Sequence, residues 1–184
     1  ISLEELKRSL EKLKTGKSSG TDQISTELLL LLHDESLTLL LDMINDWWNN
    51  NIPQELLLAC IATIPKKGPP SIDNIRPIAL LNTLYKLFAI ILRERIAPVI
   101  DHLLHKMQFG FRKSRSTAQA IHCLRRVLDY TEQGNDKLHL VFIDWTKAFD
   151  KVFHQKIFES LSRYGTPELL VNQVKKLYDN PQFY

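Results

Sequence analysis

The chain has 184 residues, of which 44% are hydrophobic and 24% charged, and its formal net charge is +3. This length and composition support a globular protein that is large enough to bury a core. So small a net charge does not by itself identify a nucleic-acid-binding protein, so any such function has to be argued from motifs.

The first predicted helix begins at a capping box, Ser2-Leu3-Glu4-Glu5. Leucines at helical spacing follow it, at Leu3, Leu6, Leu10 and Leu13. The helix is expected to stop near Thr15-Gly16, where a polar loop starts. From Thr26 to Asn50 the apolar pattern predicts two helices, separated around His33-Asp34-Glu35. The leucine run from Leu28 to Leu32 is too short to span a bilayer.

Pro53 suits the first position of a short helix through Leu58, and residues 60–64 read as a strand that ends at Pro65. Asn82 is predicted to cap a long helix, with Pro98 opening another. One apolar face of the long helix is formed by Leu84, Leu87, Phe88, Ile91 and Leu92. These signals predict helices on both sides of one short strand.

In the second half of the chain, Ser116 is predicted to cap a helix that Gly134 closes. Gly165 ends one later helix and Thr166-Pro167-Glu168 starts the last. Between them, Leu138–Ile143 reads as a central strand that is buried on both faces and delivers Asp144 at its end. A carboxylate at such a position is either hydrogen-bonded or a ligand of a hard cation.

The two cysteines, Cys60 and Cys123, are isolated from each other and from any histidine at metal-ligand spacing. Neither a disulfide framework nor a zinc site is predicted, and a reducing compartment is expected. No signal-peptide pattern is found, which favours an intracellular protein without a membrane partner. The first residue is Ile1 and not Met, which suggests a fragment.

Several motifs occur in a fixed order. They are Ile64-Pro65-Lys66-Lys67-Gly68, Asn74-Ile75-Arg76-Pro77-Ile78-Ala79-Leu80-Leu81, Gln108-Phe109-Gly110-Phe111-Arg112, Phe142-Ile143-Asp144 and Lys147-Ala148-Phe149-Asp150-Lys151-Val152. Together they resemble the finger motifs and the first palm motif of non-LTR (LINE-type) retrotransposon reverse transcriptases, in the family's order. The resemblance covers nearly the whole chain.

The resemblance implies a nucleotide site. Asp144 would be a catalytic and metal-binding carboxylate, with a turn-capping role as the alternative. Lys66, Lys67 and Arg76 would grip the triphosphate of the incoming nucleotide, and the sequence does not decide between the two lysines. Phe149 would lie beneath the incoming sugar and exclude a ribose 2′-hydroxyl, unless it is an ordinary core residue.

The resemblance also implies contact with template and primer along one segment of the chain. The residues are Gln108, Gly110, Arg112, Lys113 and Arg115. They lie in a basic run that contains no Asp or Glu between Lys106 and Arg126. The alternatives are a solvated charged face and, for Phe109 and Phe111, plain core anchors.

The fold class expected is α+β, with helix-rich fingers over about residues 1–135 and the start of the palm of a right-hand polymerase over 136–184. The resemblance implies Mg²⁺, RNA template, DNA primer and dNTP for the complete enzyme. The chain holds no Tyr-x-Asp-Asp motif, so alone it is expected to bind Mg²⁺ weakly or not at all, and not to polymerise. Self-association through an open sheet edge is also expected. The alternative function is a domesticated or decayed remnant that binds nucleic acid or protein without catalysis.

Overall fold

A computed structural model of the chain describes residues 1–68, 71 and 74–184. The helices in these residues are α1 (Leu3–Leu10), α2 (Thr26–Leu30), α3 (Asp34–Asn49), α4 (Thr83–Asp101), α5 (Thr117–Gln133), α6 (His154–Arg163) and α7 (Glu168–Leu177). The strands are β1 (Leu58–Pro65), β2 (Ile75–Leu80) and β3 (Gln182–Phe183). Short 3₁₀ turns cover Gln54–Leu57 and Phe149–Lys151. Within the described residues, no helix is both long enough and apolar enough to cross a membrane.

The chain divides into two compact units. The first unit comprises Ile1–Ala97 and Thr166–Tyr184, and the second comprises Pro98–Gly165. The fold is helix-rich α+β with one small sheet, as the sequence predicts.

The core of the first unit is built on α4. Its predicted apolar face is buried, with Leu84, Leu87, Phe88, Ile91 and Leu92 at most 8% exposed. The ring of Phe88 meets the rings of Trp47 and Trp48 edge-on, with centroids 6.4 and 6.2 Å away. Edge-to-face packing adds to the gain from burying these large rings. Trp47, which is 4% exposed, therefore belongs to this core.

Helix α7 closes the carboxyl end of α3 through two side chains. Gln173 Nε2 donates to the carbonyl of Trp48 at 2.9 Å, and Lys176 Nζ donates to the carbonyls of Trp47, Trp48 and Asn50. The last carbonyls of a helix have no partner within the helix and carry its negative dipole end. The amide of Gln173 and the ammonium group of Lys176 therefore supply hydrogen-bond donors to carbonyls at the end of α3.

Strand β1 lies in the middle of the sheet, whose order is β2-β1-β3. Strands β1 and β2 pair antiparallel, from Cys60 opposite Leu80 to Pro65 opposite Ile75. Strand β3 pairs in parallel with the start of β1, with Gln182 opposite Leu58. The predicted strand before Pro65 is confirmed and begins two residues earlier, whereas β3 was not predicted because two residues carry no recognisable pattern.

Two predictions about where helices begin and end need correction. Helix α1 ends at Leu10 and not near Thr15-Gly16, because the amides of Lys12 and Leu13 turn back to the carbonyls of Ser9 and Leu10 in tight i→i+3 bonds. Pro98 does not open a helix but lies inside α4. The fixed φ of proline fits a helix, so the local cost is the hydrogen bond that its missing N–H cannot donate.

Asn82 precedes α4 as predicted, but its side chain does not cap the helix. Its Oδ1 accepts from Thr21 Oγ1 at 3.0 Å and from the amide of Asp22 at 3.2 Å. Its Nδ2 donates to the carbonyls of Glu55 and Leu56. Because Asn82 is 1% exposed, both ends of its amide have to find partners within the fold, and they join two loops that are distant in sequence.

In the second unit α5 forms as predicted. Ser116 and Gln119 make a full capping box, and Gly134 ends the helix. None of the residues 98–165 is buried, and Ile121 and Leu128 of α5 are 49% and 41% exposed. The helix is therefore specified by its caps and propensity and not by burial of its apolar face.

The prediction of a central strand over Leu138–Ile143 is wrong. The segment is irregular and exposed in the structure, with Val141, Phe142 and Ile143 between 76% and 83% exposed. A strand exists only when a neighbouring strand takes its backbone hydrogen bonds, and none of the three strands in the described residues pairs with this segment. Asp144 is accordingly exposed.

Candidate functional site

The hairpin of β1 and β2 carries the three cations that the sequence assigned to the nucleotide. Arg76 lies on β2 opposite Ile64, and the pairing continues past the strand ends because the amide of Lys66 donates to the carbonyl of Asn74 at 2.7 Å. Alternate residues of a strand share a face, so this register puts Lys66 diagonally across from Arg76 on one face, whereas Lys67 lies in the bend that follows the last paired residue. Arg76 and Lys67 are exposed and Lys66 is half-buried.

Arg112 of the predicted nucleic-acid segment is fully engaged within the second unit. Its Nε donates to Asp101 Oδ1 at 2.8 Å, and one terminal nitrogen donates to Asp101 Oδ2 and to the carbonyl of Asp101. The other terminal nitrogen donates to the carbonyls of His105 and Gln108. These bonds use all five N–H donors that a guanidinium possesses. The Arg112 guanidinium holds the pKa of the Asp101 carboxyl below its usual range, and that carboxyl raises the pKa of Arg112.

The segment that Arg112 holds presents an aromatic residue to solvent. Phe111 is 94% exposed and has φ +59°, a left-handed conformation that side chains rarely adopt. Its ring stands at 89° to the ring of Phe149, with centroids 6.0 Å apart. The structure therefore brings the Gln-Phe-Gly-Phe-Arg motif to the Ala-Phe-Asp motif, although 38 positions separate the two phenylalanines in sequence.

The other residues of the predicted nucleic-acid segment lie on the surface. Gln108, Gly110, Lys113 and Arg115 are exposed, and Gln108 Nε2 donates to the carbonyl of Gly110 at 3.2 Å. The Arg115 guanidinium lies 6.0 Å from the centre of the Phe109 ring, within reach of a cation–π contact. Phe109 is half-buried and Phe111 exposed, so neither is a core anchor.

Asp144 is the carboxylate assigned to a metal ion. Among the described residues, no group of three or more His, Cys, Asp or Glu side chains is arranged to hold one. Hard divalent cations need several oxygen ligands, so these residues do not fit a two-ion centre as they stand. Arg76 belongs to the first unit and Asp144 to the second.

A basic cavity in the first unit was missed by sequence reasoning. Its volume is about 490 Å³, and its lining includes Lys12, Lys14, Lys17, Lys86 and Tyr85. Burial lowers the pKa of Lys86 and raises the pKa of Tyr85 to about 12. Lys12 pairs with Glu94 at 2.5 Å. The first three lysines are close in sequence and could have been noted together, but Lys86 reaches them only through the fold.

Known proteins share sequence with this chain. The family described as "Reverse transcriptase (RNA-dependent DNA polymerase)" matches residues 64–183. Among curated proteins, the chain is 29% identical over 188 residues to a probable RNA-directed DNA polymerase from transposon BS of Drosophila melanogaster. It is 30% identical over 192 residues to the RNA-directed DNA polymerase from the mobile element jockey of the same species. It is 28% identical over 183 residues to the uncharacterized 149 kDa protein of transposon TX1 from Xenopus laevis.

These alignments cover 100%, 100% and 97% of the chain but only 19%, 20% and 14% of the respective relatives. The chain thus spans at most about a fifth of the length of these relatives. What it shares with them is one portion of a longer polypeptide.

Proposed function

This chain belongs to the reverse transcriptase (RNA-dependent DNA polymerase) family, and from that premise we propose that it forms the fingers and the first palm segment of a retrotransposon polymerase. In that role it holds the incoming dNTP and contacts an RNA template and a DNA primer. The observation that carries the proposal is the register of the β1–β2 hairpin, which gives two cations one shared face.

The hairpin is the nucleotide grip in this proposal. Arg76 holds two phosphate oxygens at once through its planar fork, and Lys66 supplies a movable point charge from the diagonal position. Phosphoryl transfer requires that the reacting groups be positioned and that the charge developing on the phosphate be neutralised. A pair of cations on one face can do both. Lys67 lies in the bend beyond the paired residues, outside the face that Lys66 and Arg76 share, and serves the nucleotide less.

The template and primer are contacted by the exposed cations of the second unit, Lys113 and Arg115. Arg112 has a different task. Its donors are all spent within the chain, so it positions the segment that contains Gln108 and Gly110 instead of meeting a phosphate. Phe149 is the residue proposed beneath the sugar, and the ring of Phe111 supports it from one side.

Mg²⁺ is the ion we propose for the complete polymerase, with Asp144 as one of its carboxylate ligands. The described residues do not assemble an ion site around it. The division into fingers up to about residue 135 and palm from 136, and self-association through an open sheet edge, remain part of the proposal. The family match and the similarity to polymerases of mobile elements favour this reading over the non-catalytic remnant.

Nucleotide binding by the chain tests the grip. We expect dTTP to bind more tightly than dTMP in calorimetric titrations without metal, because the cations act on the outer phosphates. Arg76→Ala and Lys66→Ala should both weaken dTTP binding, with Lys67→Ala as the matched control that changes it least. If Lys67→Ala weakens binding as much as Arg76→Ala, or if dTTP and dTMP bind alike, the proposed grip is wrong.

A further inference from the structure

The second unit contains a cavity that the resemblance does not assign. Its volume is about 710 Å³, within the range of small-ligand sites. It lies between the loop that Arg112 holds and the first turns of α5. Its lining comprises Lys106, Met107, Phe109, Arg115, Ala118, Gln119, His122 and Cys123.

The charge of this cavity favours an anion. Lys106 and Arg115 line it, His122 can add a hydrogen bond, and no Asp or Glu occurs between Lys106 and Arg126. Asp101 lies close enough to Arg115 for that cation to help lower the pKa of the Asp101 carboxyl, and this carboxylate is held by the fork of Arg112. A phosphate that approaches Arg115 therefore meets an acid whose charge is already neutralised by another residue.

Much of the remaining lining is apolar or aromatic, which a purely phosphate-binding site does not need. The side chains of Met107, Phe109 and Ala118 supply this surface, and Arg115 lies against the ring of Phe109. A half-buried aromatic ring beside cations is the arrangement that binds single-stranded nucleic acid, since bases stack on the ring while the phosphates meet the charges.

We propose that this cavity accepts one unpaired base of a single-stranded nucleic acid, stacked on Phe109, with the phosphates that flank the base held by Lys106 and Arg115. The inference rests on the proposed function, because it takes nucleic acid as the ligand. It goes further in naming a pocket that contacts a base and not only the backbone.

The two cysteines of the chain provide the test. Cys123 lines the cavity, and Cys60 lies on β1 in the other unit, both as free thiols of intermediate exposure. Alkylation by N-ethylmaleimide is followed by peptide mass spectrometry with and without single-stranded oligothymidylate. We expect the oligonucleotide to slow modification of Cys123 several-fold and to leave Cys60 unchanged. An abasic oligonucleotide of the same length and charge should bind through its phosphates but protect Cys123 much less.

Affinities measured with the same two oligonucleotides separate stacking from charge. Phe109→Leu keeps an apolar side chain but loses the flat ring, so it should weaken oligothymidylate binding by roughly 5- to 150-fold and leave abasic binding unchanged. Phe109→Tyr should retain binding. Lys113 does not line the cavity, so Lys113→Ala should weaken the binding of both oligonucleotides equally. If Phe109→Leu does not fold, the comparison of the two oligonucleotides on the parent chain decides alone.

The outcomes distinguish this inference from the function on which it rests. Equal protection of Cys123 by both oligonucleotides, together with equal affinities, overturns the base pocket and leaves backbone contact standing. Binding of neither oligonucleotide overturns the proposed contact with nucleic acid and the pocket with it.

Discussion

Arg112 and Asp101 form a bidentate ion pair that fixes the end of α4 to the loop that follows it. The two N–H···O contacts to the carboxylate are 2.8 and 3.1 Å long, and the same guanidinium also satisfies the carbonyls of Asp101, His105 and Gln108. The carbonyls at a helix end lack partners within the helix, and here a side chain eleven residues further along donates to the carbonyl of Asp101, the last residue of α4. The residue that the motif suggested for phosphate contact is therefore a structural clamp.

The clamp predicts how nucleic-acid binding responds to substitution. Arg112→Ala should loosen residues 102–111, seen as faster amide exchange there, while the dependence of affinity on salt stays close to that of the parent. Arg115→Ala should reduce the slope of log affinity against log salt by about 0.7 to 0.9, because one phosphate contact is lost. The measurement is a titration with labelled oligonucleotide at several salt concentrations. A slope that falls equally in both variants would return Arg112 to the phosphate-binding set.

Asn82 should be among the least replaceable polar residues of the first unit. Asn82→Ala leaves buried donors and acceptors from two loops without partners, which should cost about 2–3 kcal/mol in the free energy of unfolding. Asn82→Asp should be worse near neutral pH, since a carboxylate oxygen would then face the carbonyls of Glu55 and Leu56. Urea denaturation measures both. If the free energy of unfolding of the alanine variant lies within about 0.5 kcal/mol of the parent value, water replaces the side chain almost without loss of stability.

Gly20 lies against Asn82, and its lack of a side chain leaves room for Asn82 to bond the adjacent Thr21 and Asp22. A Cβ built on Gly20 would lie 2.5 and 2.6 Å from the backbone N and Cα of Asn82. Backbone atoms cannot swing away as the end of a side chain can, so Gly20→Ala should lower the free energy of unfolding by about 1–3 kcal/mol. Thr15→Ala, in the same exposed polar loop, is the control expected to change little. An alanine variant as stable as the parent would show that the loop moves freely relative to α4.

Phe88 should dominate the core. It is 1% exposed between Trp47 and Trp48, so Phe88→Ala should cost about 3–5 kcal/mol and Phe88→Leu clearly less. Leu39→Ala is the matched control, because Leu39 lies on α3 but is 71% exposed. Its effect should stay within about 0.5 kcal/mol. Equal losses for Phe88→Ala and Leu39→Ala would contradict the core as described.

The ion pair of Glu5 and Arg95 makes the first unit sensitive to acid. Glu5 accepts two bonds from Arg95, at 2.6 and 2.7 Å, and this hydrogen bonding lowers the pKa of Glu5. A carboxyl whose pKa is lower in the folded state stabilises the fold above its unfolded pKa, and that stability is lost as the pH falls through the folded value. Glu5→Gln should therefore reduce stability near neutrality and flatten the loss of stability below about pH 4. Thermal melts from pH 7 to pH 3 test this, with Arg95→Lys expected to be intermediate because it keeps the charge but not the fork.

The sequence by itself determined the parts of this protein whose causes lie within one helical turn. Ser2, Ser116 and Gly134 act on backbone groups next to them, and the apolar face of α4 follows from its own spacing. The ordered motifs also gave the family, since each motif is local and their order is visible in the chain. The motifs also named the cations of the hairpin, but they did not show which lysine accompanies Arg76. That depends on the register of two strands, which the sequence does not contain.

Only the tertiary structure decided the features that need a partner distant in sequence. Leu138–Ile143 has the composition of a strand, yet it is not one here, because β pairing requires a second strand and the chain alone does not say where that strand comes from. Asn82 is of a residue type that often caps helices, and Arg112 is of a type that often binds phosphate. In this fold, both side chains instead form hydrogen bonds with groups of the chain that lie near them. Polar side chains bind whichever complementary group the fold brings within about 3 Å, and a linear pattern does not contain that distance.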